Sequence, residues 1–80
     1  MKILKFYAPW CAPCKKLSKD LEKTMLDIES INIEDNADLV AEYDIKSVPT
    51  TIVIDDNEKE AKRWVGAFKV RELIGFLNGE

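Results

Sequence analysis

The sequence predicts an α/β domain with the element order βαβαββα. Three observations lead to this order. A short, β-prone apolar run opens the chain, apolar residues at helical spacing follow it, and a β-branched run later in the chain precedes a turn and another extended run. Strands that alternate with helical segments are typical of α/β folds. We expect one domain over residues 1–80, because a chain of this length suffices for one small domain.

The first half of the chain predicts a strand, a helix and a second strand. Residues 2–8 are apolar on both faces, as in a buried parallel strand. Pro13 lies just inside the next segment, where the first turn of a helix tolerates proline. Residues 30–34 form the second strand, which we expect beside the first and parallel to it. The apolar face of the helix would consist of Cys14, Leu17, Leu21, Met25 and Ile28.

The second half predicts a short helix, a hairpin and a final helix. Residues 36–43 carry apolar side chains on one side of a short helix. Residues 50–55 are strongly β-branched, a turn signal follows them, and residues 59–66 form the antiparallel partner strand. The last helix would bury one face, formed by Val70, Leu73, Ile74 and Leu77.

Composition and charge exclude several classes of protein. The residues are 46% apolar and 34% charged, a balance typical of globular domains. The net charge of −3 argues against a nucleic-acid partner, because a protein that binds nucleic acid needs a basic surface. No apolar run approaches the roughly 20 residues of a membrane span, and Lys5 interrupts the only apolar stretch near the start. We therefore expect a cytoplasmic monomer that is mature as written and does not associate with membranes.

Cys11 and Cys14 are the only cysteines, and their spacing leaves several interpretations open. A structural disulfide would close a very short loop, which stabilises little. A zinc site needs further ligands, and the chain has no His and no third Cys, so two carboxylates would have to complete it. A dimer could instead share a metal or an iron–sulfur cluster between four thiolates.

A redox function accounts for more of the sequence around this pair. It places both cysteines after the first strand and at the start of a helix, the end at which open α/β sheets carry their sites. Cys11 would face the unpaired N–H groups of the helix N-terminus, which stabilise a thiolate. Cys14, one turn deeper on the apolar face, would be shielded. The exposed Cys11 thiolate would then attack a disulfide, and Cys14 would resolve the mixed disulfide.

Residues 10–15, WCAPCK, resemble the active-site motif of the thioredoxin family, usually WCGPCK, and CxxC near a βαβ pattern is typical of that family. Residues 47–50, SVPT, match the loop in which the family holds a cis-proline. Residues 64–77 match its strand–Gly–helix ending. The family's first strand and helix have no counterpart here. The resemblance implies a minimal thioredoxin fold, with a four-stranded mixed sheet in order 2-1-3-4 flanked by three helices.

The resemblance also implies an activity and a set of site residues. The protein would be a protein-disulfide reductase in which Cys11 attacks and Cys14 resolves, with no cofactor beyond the Cys11–Cys14 disulfide and no metal. Its partners would be disulfide-containing client proteins and an electron donor, either a thioredoxin reductase-like dithiol reductase or glutathione. The substrate-binding residues would be Trp10, Ala12, Pro13, Val48, Pro49 and Gly66.

The loop and turn residues of this set also have simpler interpretations. Pro49 could be a trans turn residue, Gly66 a strand-end turn, and Trp10 core packing. A cis X–Pro bond costs only about 0.5–1 kcal/mol. Such a turn would expose the backbone of Val48, which could pair with a bound peptide as an added strand does.

The sequence is also compatible with two other functions. A glutaredoxin-like enzyme that uses glutathione would suit the short fold, although glutaredoxins usually carry Pro-Tyr between their cysteines and this chain carries Ala12 and Pro13. A non-catalytic thioredoxin-like subunit could bind a partner through Trp10, Pro49 and Gly66, with the cysteines incidental.

Lys5 departs from the family pattern. The family usually carries a buried Asp at this position, thought to accept the proton of the deeper cysteine, and the lysine that often accompanies it falls at Ser30. A neutral Lys5 could act as a base toward Cys14, whereas a charged one would favour the Cys14 thiolate. Alternatively, its stem packs and its ammonium group reaches water at the end of the sheet. Lys5 is therefore a candidate modulator of the cysteine chemistry. Resolution of the mixed disulfide here would lack the proton transfer to a carboxylate.

Overall fold

The elements follow one another in the predicted order. A computed structural model describes residues 1–79, so Glu80, the last residue of the expected domain, lies outside the described residues. The strands and helices are β1 (Lys2–Tyr7), α1 (Ala12–Glu22), β2 (Ile28–Asn32), α2 (Ala37–Glu42), β3 (Thr50–Ile54), β4 (Glu60–Val65) and α3 (Val70–Leu77).

The strands form one mixed sheet in the order β2-β1-β3-β4. β1 runs parallel to β2 and antiparallel to β3, and β4 pairs with β3 as an antiparallel hairpin. The predicted sheet order, parallel crossover and hairpin are therefore confirmed. The register places Lys5 between Ser30 of β2 and Thr51 of β3, in the interior of the sheet.

The sheet divides the core into two layers, because successive side chains of a strand point to opposite faces. On one face, Ile3 and Val53 pack against Leu17 and Leu21 of α1 and Leu73 of α3. On the other face, a second cluster packs against α2 and the loop that follows it; its buried members are Leu4, Phe6, Ile31, Ile52 and Ile54. Lys5 alternates with Leu4 and Phe6, so it lies on the α1 face of β1.

The prediction that α1 continues to Met25 and Ile28 is wrong. The helix ends at Glu22 because Thr24 takes over its hydrogen bonds: the Thr24 hydroxyl donates to the Leu21 carbonyl at 2.6 Å and accepts the Leu26 N–H at 3.2 Å. Met25 then has a φ of 63°, and its side chain is 91% exposed. The chain turns there, so Ile28 begins β2, and this strand starts two residues before the predicted 30–34.

The prediction for the buried face of α3 is wrong at one residue. Leu73 is buried, and Val70 and Leu77 pack against the same cluster, but Ile74 is 39% exposed. Phe76 packs in its place, with its ring centroid 6.1 Å from that of Trp64. A large aromatic residue on β4 therefore selects the face that α3 buries.

Candidate active site

The cysteine pair lies where β1 ends and α1 begins. Cys11 is the N-cap of α1, and its Sγ accepts a hydrogen bond from the backbone N–H of Cys14 at 3.2 Å. The Cys11 N–H donates to the Ala8 carbonyl at 3.1 Å, which holds the turn that leads into the helix. The sulfur of Cys11 thus sits among the unpaired N–H groups at the positive end of the helix dipole, an environment that stabilises negative charge on sulfur.

Cys11 and Cys14 form a disulfide in the structure, with their Cα atoms 5.3 Å apart. Both residues are buried, Cys11 with 5% and Cys14 with 2% of its surface exposed. The expectation that Cys11 is exposed is therefore wrong for this oxidised form. The physical reason is the packing of the pair, since both cysteines and Ala8 form a small apolar cluster against Tyr7, Ile33 and Val48.

The loop before β3 brings its predicted site residues close to the cysteines. Val48 packs against the cysteine cluster and is partly buried. The Val48–Pro49 peptide bond is cis, and Pro49 is fully buried. The carbonyl of Pro49 accepts the Gly66 N–H at 2.7 Å, so the loop is tied to the end of β4. Gly66 has a φ of +91°, a conformation that favours glycine.

Trp10 lies beside the disulfide on the surface, with 68% of its area exposed. Its indole Nε1 donates a hydrogen bond to the Glu34 carboxylate at 3.0 Å. An exposed aromatic ring that is held by a hydrogen bond can offer contact area at a low entropic cost. No local pattern points to Glu34, because only the fold brings the segment after β2 next to Trp10.

The residues between the cysteines line an apolar cavity that the sequence did not predict. Ala12 and Pro13 are exposed, and they share a cavity of about 340 Å³ with Ala67 and Phe68, which follow Gly66. The cavity connects the start of α1 with the segment before α3. The predicted residues Ala12 and Pro13 therefore border the segment that directly follows Gly66.

Comparison with known proteins identifies the family to which this arrangement belongs. A family model described as Thioredoxin matches residues 1–79. The chain belongs to the thioredoxin family. Its fold is accordingly a minimal thioredoxin fold.

Individual thioredoxins agree with this assignment in sequence and in structure. The chain is similar to the thioredoxin of Mycoplasma genitalium, with 35% identity over 81 residues that cover 95% of this chain and 78% of that protein. It is also similar to a prophage-derived thioredoxin-like protein of Bacillus subtilis, with 34% identity over 96% of this chain and 95% of that protein. The structure is also similar to that of thioredoxin 1 from Thermosipho africanus, with a TM-score of 0.79 and 31% identity. The match covers 99% of this chain and 92% of the Thermosipho chain.

Membership of the thioredoxin family and the CxxC pair define the chemistry. The protein is a thiol–disulfide oxidoreductase with protein-disulfide reductase activity, and it acts on disulfide substrates. Thioredoxins use no cofactor beyond the redox-active disulfide. Within residues 1–79, no cluster of three or more His, Cys, Asp or Glu side chains could hold a metal ion. No helix in that range is both long and apolar enough to cross a membrane.

Lys5 occupies the position at which the thioredoxin family usually carries a buried Asp. The residue is 5% exposed, so little of its surface reaches water. Its Nζ donates a hydrogen bond to the hydroxyl of Ser18 on α1 and lies 5.7 Å from the ring centroid of Tyr7. Burial lowers the pKa of Lys5, and the nearby charge of Glu22 opposes that shift. The spacing of four residues places Ser18 on the same helix face as Cys14, but only the fold places it beside Lys5.

Proposed function

We propose that this protein reduces the disulfides of client proteins, with Cys11 as the attacking thiolate and Cys14 as the resolving thiol. The observation that carries this proposal is the hydrogen bond from the Cys14 N–H to the Cys11 sulfur at the start of α1. A thiolate at Cys11 keeps that bond and faces the positive end of the dipole. Cys14 lies one turn into the helix and lacks that environment.

The reaction consists of two exchange steps. The Cys11 thiolate forms a bond to one sulfur of the client disulfide, and the other client sulfur leaves with the electron pair of the broken bond. Cys14 then forms a bond to the Cys11 sulfur, and the second client sulfur leaves in the same way. The client gains two electrons, and the protein is left with the Cys11–Cys14 disulfide. An external dithiol or thiol must then reduce this disulfide.

We propose a thioredoxin reductase-like dithiol reductase as the electron donor and glutathione as the alternative donor. Neither is identified by the residues of the site. A single dithiol in a chain without other cysteines suits a reducing compartment such as the cytoplasm, where thiols are kept reduced. We propose that the chain acts there as one monomeric domain and does not bind nucleic acid or membranes.

We propose that clients bind on the surface around the disulfide. An extended client segment would pair with the backbone of Val48, in the manner of an added strand. Trp10 would cover one side of the segment. The backbone at Gly66 and the apolar cavity beside Ala12 and Pro13 would receive the other side. Pro49 is buried, so it would shape the loop without contributing contact area.

Substitution of Trp10 tests this surface. Trp10→Ala should raise KM for a protein disulfide about tenfold, equivalent to about 1.4 kcal/mol of binding free energy. The rate with a small aromatic disulfide should stay within about twofold, because that substrate does not span the surface. Steady-state turnover of the two substrates measures both effects.

The matched control is Met25→Ala, since Met25 is 91% exposed and lies after the far end of α1. It should leave both substrates unaffected. Equal losses with both substrates in Trp10→Ala would mean that the ring acts on the chemistry of Cys11, and the proposed contact role would be abandoned.

The reduction potential of the Cys11–Cys14 pair tests the direction of the proposed reaction. Equilibration against dithiothreitol and glutathione buffers should give a reduction potential of about −270 mV, the value typical of thioredoxin. A variant in which both cysteines are Ser provides the baseline. A value of about −200 mV or above would contradict the reductase proposal and favour glutathione-linked chemistry. Turnover with glutathione and glutathione reductase as the only source of electrons would also favour glutathione-linked chemistry.

A further inference from the structure

Lys5 lies in an unusual place for a lysine. It sits in the interior of the sheet, with β2 on one side and β3 on the other, and it points toward α1. Only 5% of the residue is exposed, and its amine donates to the Ser18 hydroxyl. A buried lysine is costly as a cation unless it has partners. The lysine thus lies between the sheet and α1, the helix that carries Cys14 and is capped by Cys11.

Ser18 connects Lys5 with the resolving cysteine. Ser18 follows Cys14 by one helical turn, and the two residues line the same cavity of about 270 Å³. Ser18 and Lys5 also line a second cavity, of about 220 Å³, and Glu22 borders both cavities. Ser18 thus borders both the cavity beside Cys14 and the cavity beside Lys5.

Thr51 is a second buried polar residue in the layer between the sheet and α1. It is the register partner of Lys5 on β3 and has 0% of its surface exposed. Its Oγ1 has no hydrogen-bond partner within residues 1–79. A buried hydroxyl without a partner is unfavourable and rare in folded proteins. The layer between the sheet and α1 therefore holds two hydroxyl groups close to Lys5 in the fold, that of Ser18 on α1 and that of its register partner Thr51.

We propose that Lys5 accepts the proton of the Cys14 thiol through the hydroxyl of Ser18 while Cys14 resolves the mixed disulfide. The inference rests on the proposed function, because it concerns the second step of that reaction. Cys14 passes its proton to the Ser18 oxygen as the Ser18 proton moves to the neutral Lys5 amine. The Cys14 sulfur then bonds to the Cys11 sulfur, and the client leaves as a thiolate.

The hydrogen bonding and charge around Lys5 agree with this assignment. In the oxidised structure the Lys5 amine is hydrogen-bonded to the Ser18 hydroxyl, the contact through which a proton would pass between them. Burial lowers the pKa of Lys5 below its ordinary value, and the charge of Glu22 on α1 opposes that shift. The Tyr7 ring on β1 faces the amine, and Lys15 and Lys19 border the Cys14 cavity from α1. The register neighbours on β2 and β3 carry uncharged hydroxyl side chains.

Reaction of the reduced protein with 5,5′-dithiobis(2-nitrobenzoate) separates the two steps in one stopped-flow trace. Attack by Cys11 releases a first thionitrobenzoate, and resolution by Cys14 releases the second. Lys5→Met should slow the second release about 100-fold near neutral pH and leave the first unchanged, since a positioned acid or base contributes about 10²-fold or more. Ser18→Ala should slow the same phase. Lys2→Met, an exposed lysine on the same strand, is the matched control and should change neither phase.

Lys5→Arg distinguishes proton transfer from a simple effect of charge, because arginine stays protonated. It should be as slow as Lys5→Met, and in both variants the second phase should keep accelerating with pH after the wild-type rate has levelled off. A Lys5→Arg variant with wild-type speed would overturn the proposal, as would a Ser18→Ala variant with an unchanged second phase. Ser18→Ala alone decides the matter if Lys5→Met does not fold. Absence of the first phase in the wild-type protein would instead reject the proposed function.

Discussion

Cys14→Ser should abolish turnover of a protein disulfide and leave Cys11 joined to the client. The first exchange step requires only Cys11, whose sulfur keeps its place at the helix N-terminus. The second step requires the Cys14 sulfur, and a serine hydroxyl cannot displace the client from the mixed disulfide. Turnover should therefore fall to the rate of the added reductant alone. The adduct should accumulate in a 1:1 ratio and be visible as a mass increase on intact-protein mass spectrometry without reductant.

The reciprocal variant, Cys11→Ser, is the control for this experiment. It should also lose turnover, but it should accumulate little adduct because Cys14 lies inside α1 and lacks the N-cap position that stabilises a thiolate at Cys11. A Cys11→Ser protein that captures clients faster than Cys14→Ser would reverse the two proposed roles. Sustained turnover by either variant would show that a single cysteine suffices, which the two-step reaction does not allow.

Phe6→Ala should cost about 3–5 kcal/mol of unfolding free energy, the range found when a buried aromatic side chain is removed. Phe6 has 0% of its surface exposed and packs in the cluster between the sheet and α2, with its ring centroid 5.8 Å from that of Tyr43. Small domains have only about 5–15 kcal/mol in total, so the variant should be close to unfolding at room temperature. Urea denaturation followed by far-ultraviolet circular dichroism measures the change.

Met25→Ala is again the control. Because Met25 is 91% exposed, its substitution should change the unfolding free energy by no more than about 0.5 kcal/mol. If the midpoints of the two variants shift equally, the α2 side of the sheet does not behave as the packed core that its burial indicates. A changed slope of the transition would instead point to a less compact native or unfolded state.

The order of elements could be predicted from the sequence because each segment carries its own periodicity, whereas some boundaries could not. The apolar pattern of α1 runs on to Ile28, but the hydrogen bonds stop at Glu22 because the Thr24 hydroxyl competes for them. Likewise, Ile74 fits the periodicity of α3, yet Phe76 and Trp64 determine which face packs. Periodicity describes a single element, and these outcomes depend on contacts that periodicity does not contain.

The candidate site also contains residues that could be predicted from the sequence and residues that could not. The motif around Cys11 could be predicted from local sequence, because a helix start after a strand follows from residues close together in the chain. Ser18 and Thr51 could not, because their proximity to Lys5 depends on the strand register and on how α1 lies across the sheet. Glu34 reaches Trp10 for a similar reason, 24 positions away in sequence.

The burial of the oxidised pair has a consequence for how the protein regains its electrons. With only 5% of Cys11 and 2% of Cys14 exposed, the disulfide can be approached from few directions. Thiol–disulfide exchange requires the attacking sulfur to come within bonding distance of the sulfur that it displaces. A thiol on a projecting or mobile segment should therefore reach this disulfide more easily than a thiol that lies flush with a flat surface. The shape of the donor, and not only its potential, therefore sets how fast the oxidised protein is reduced.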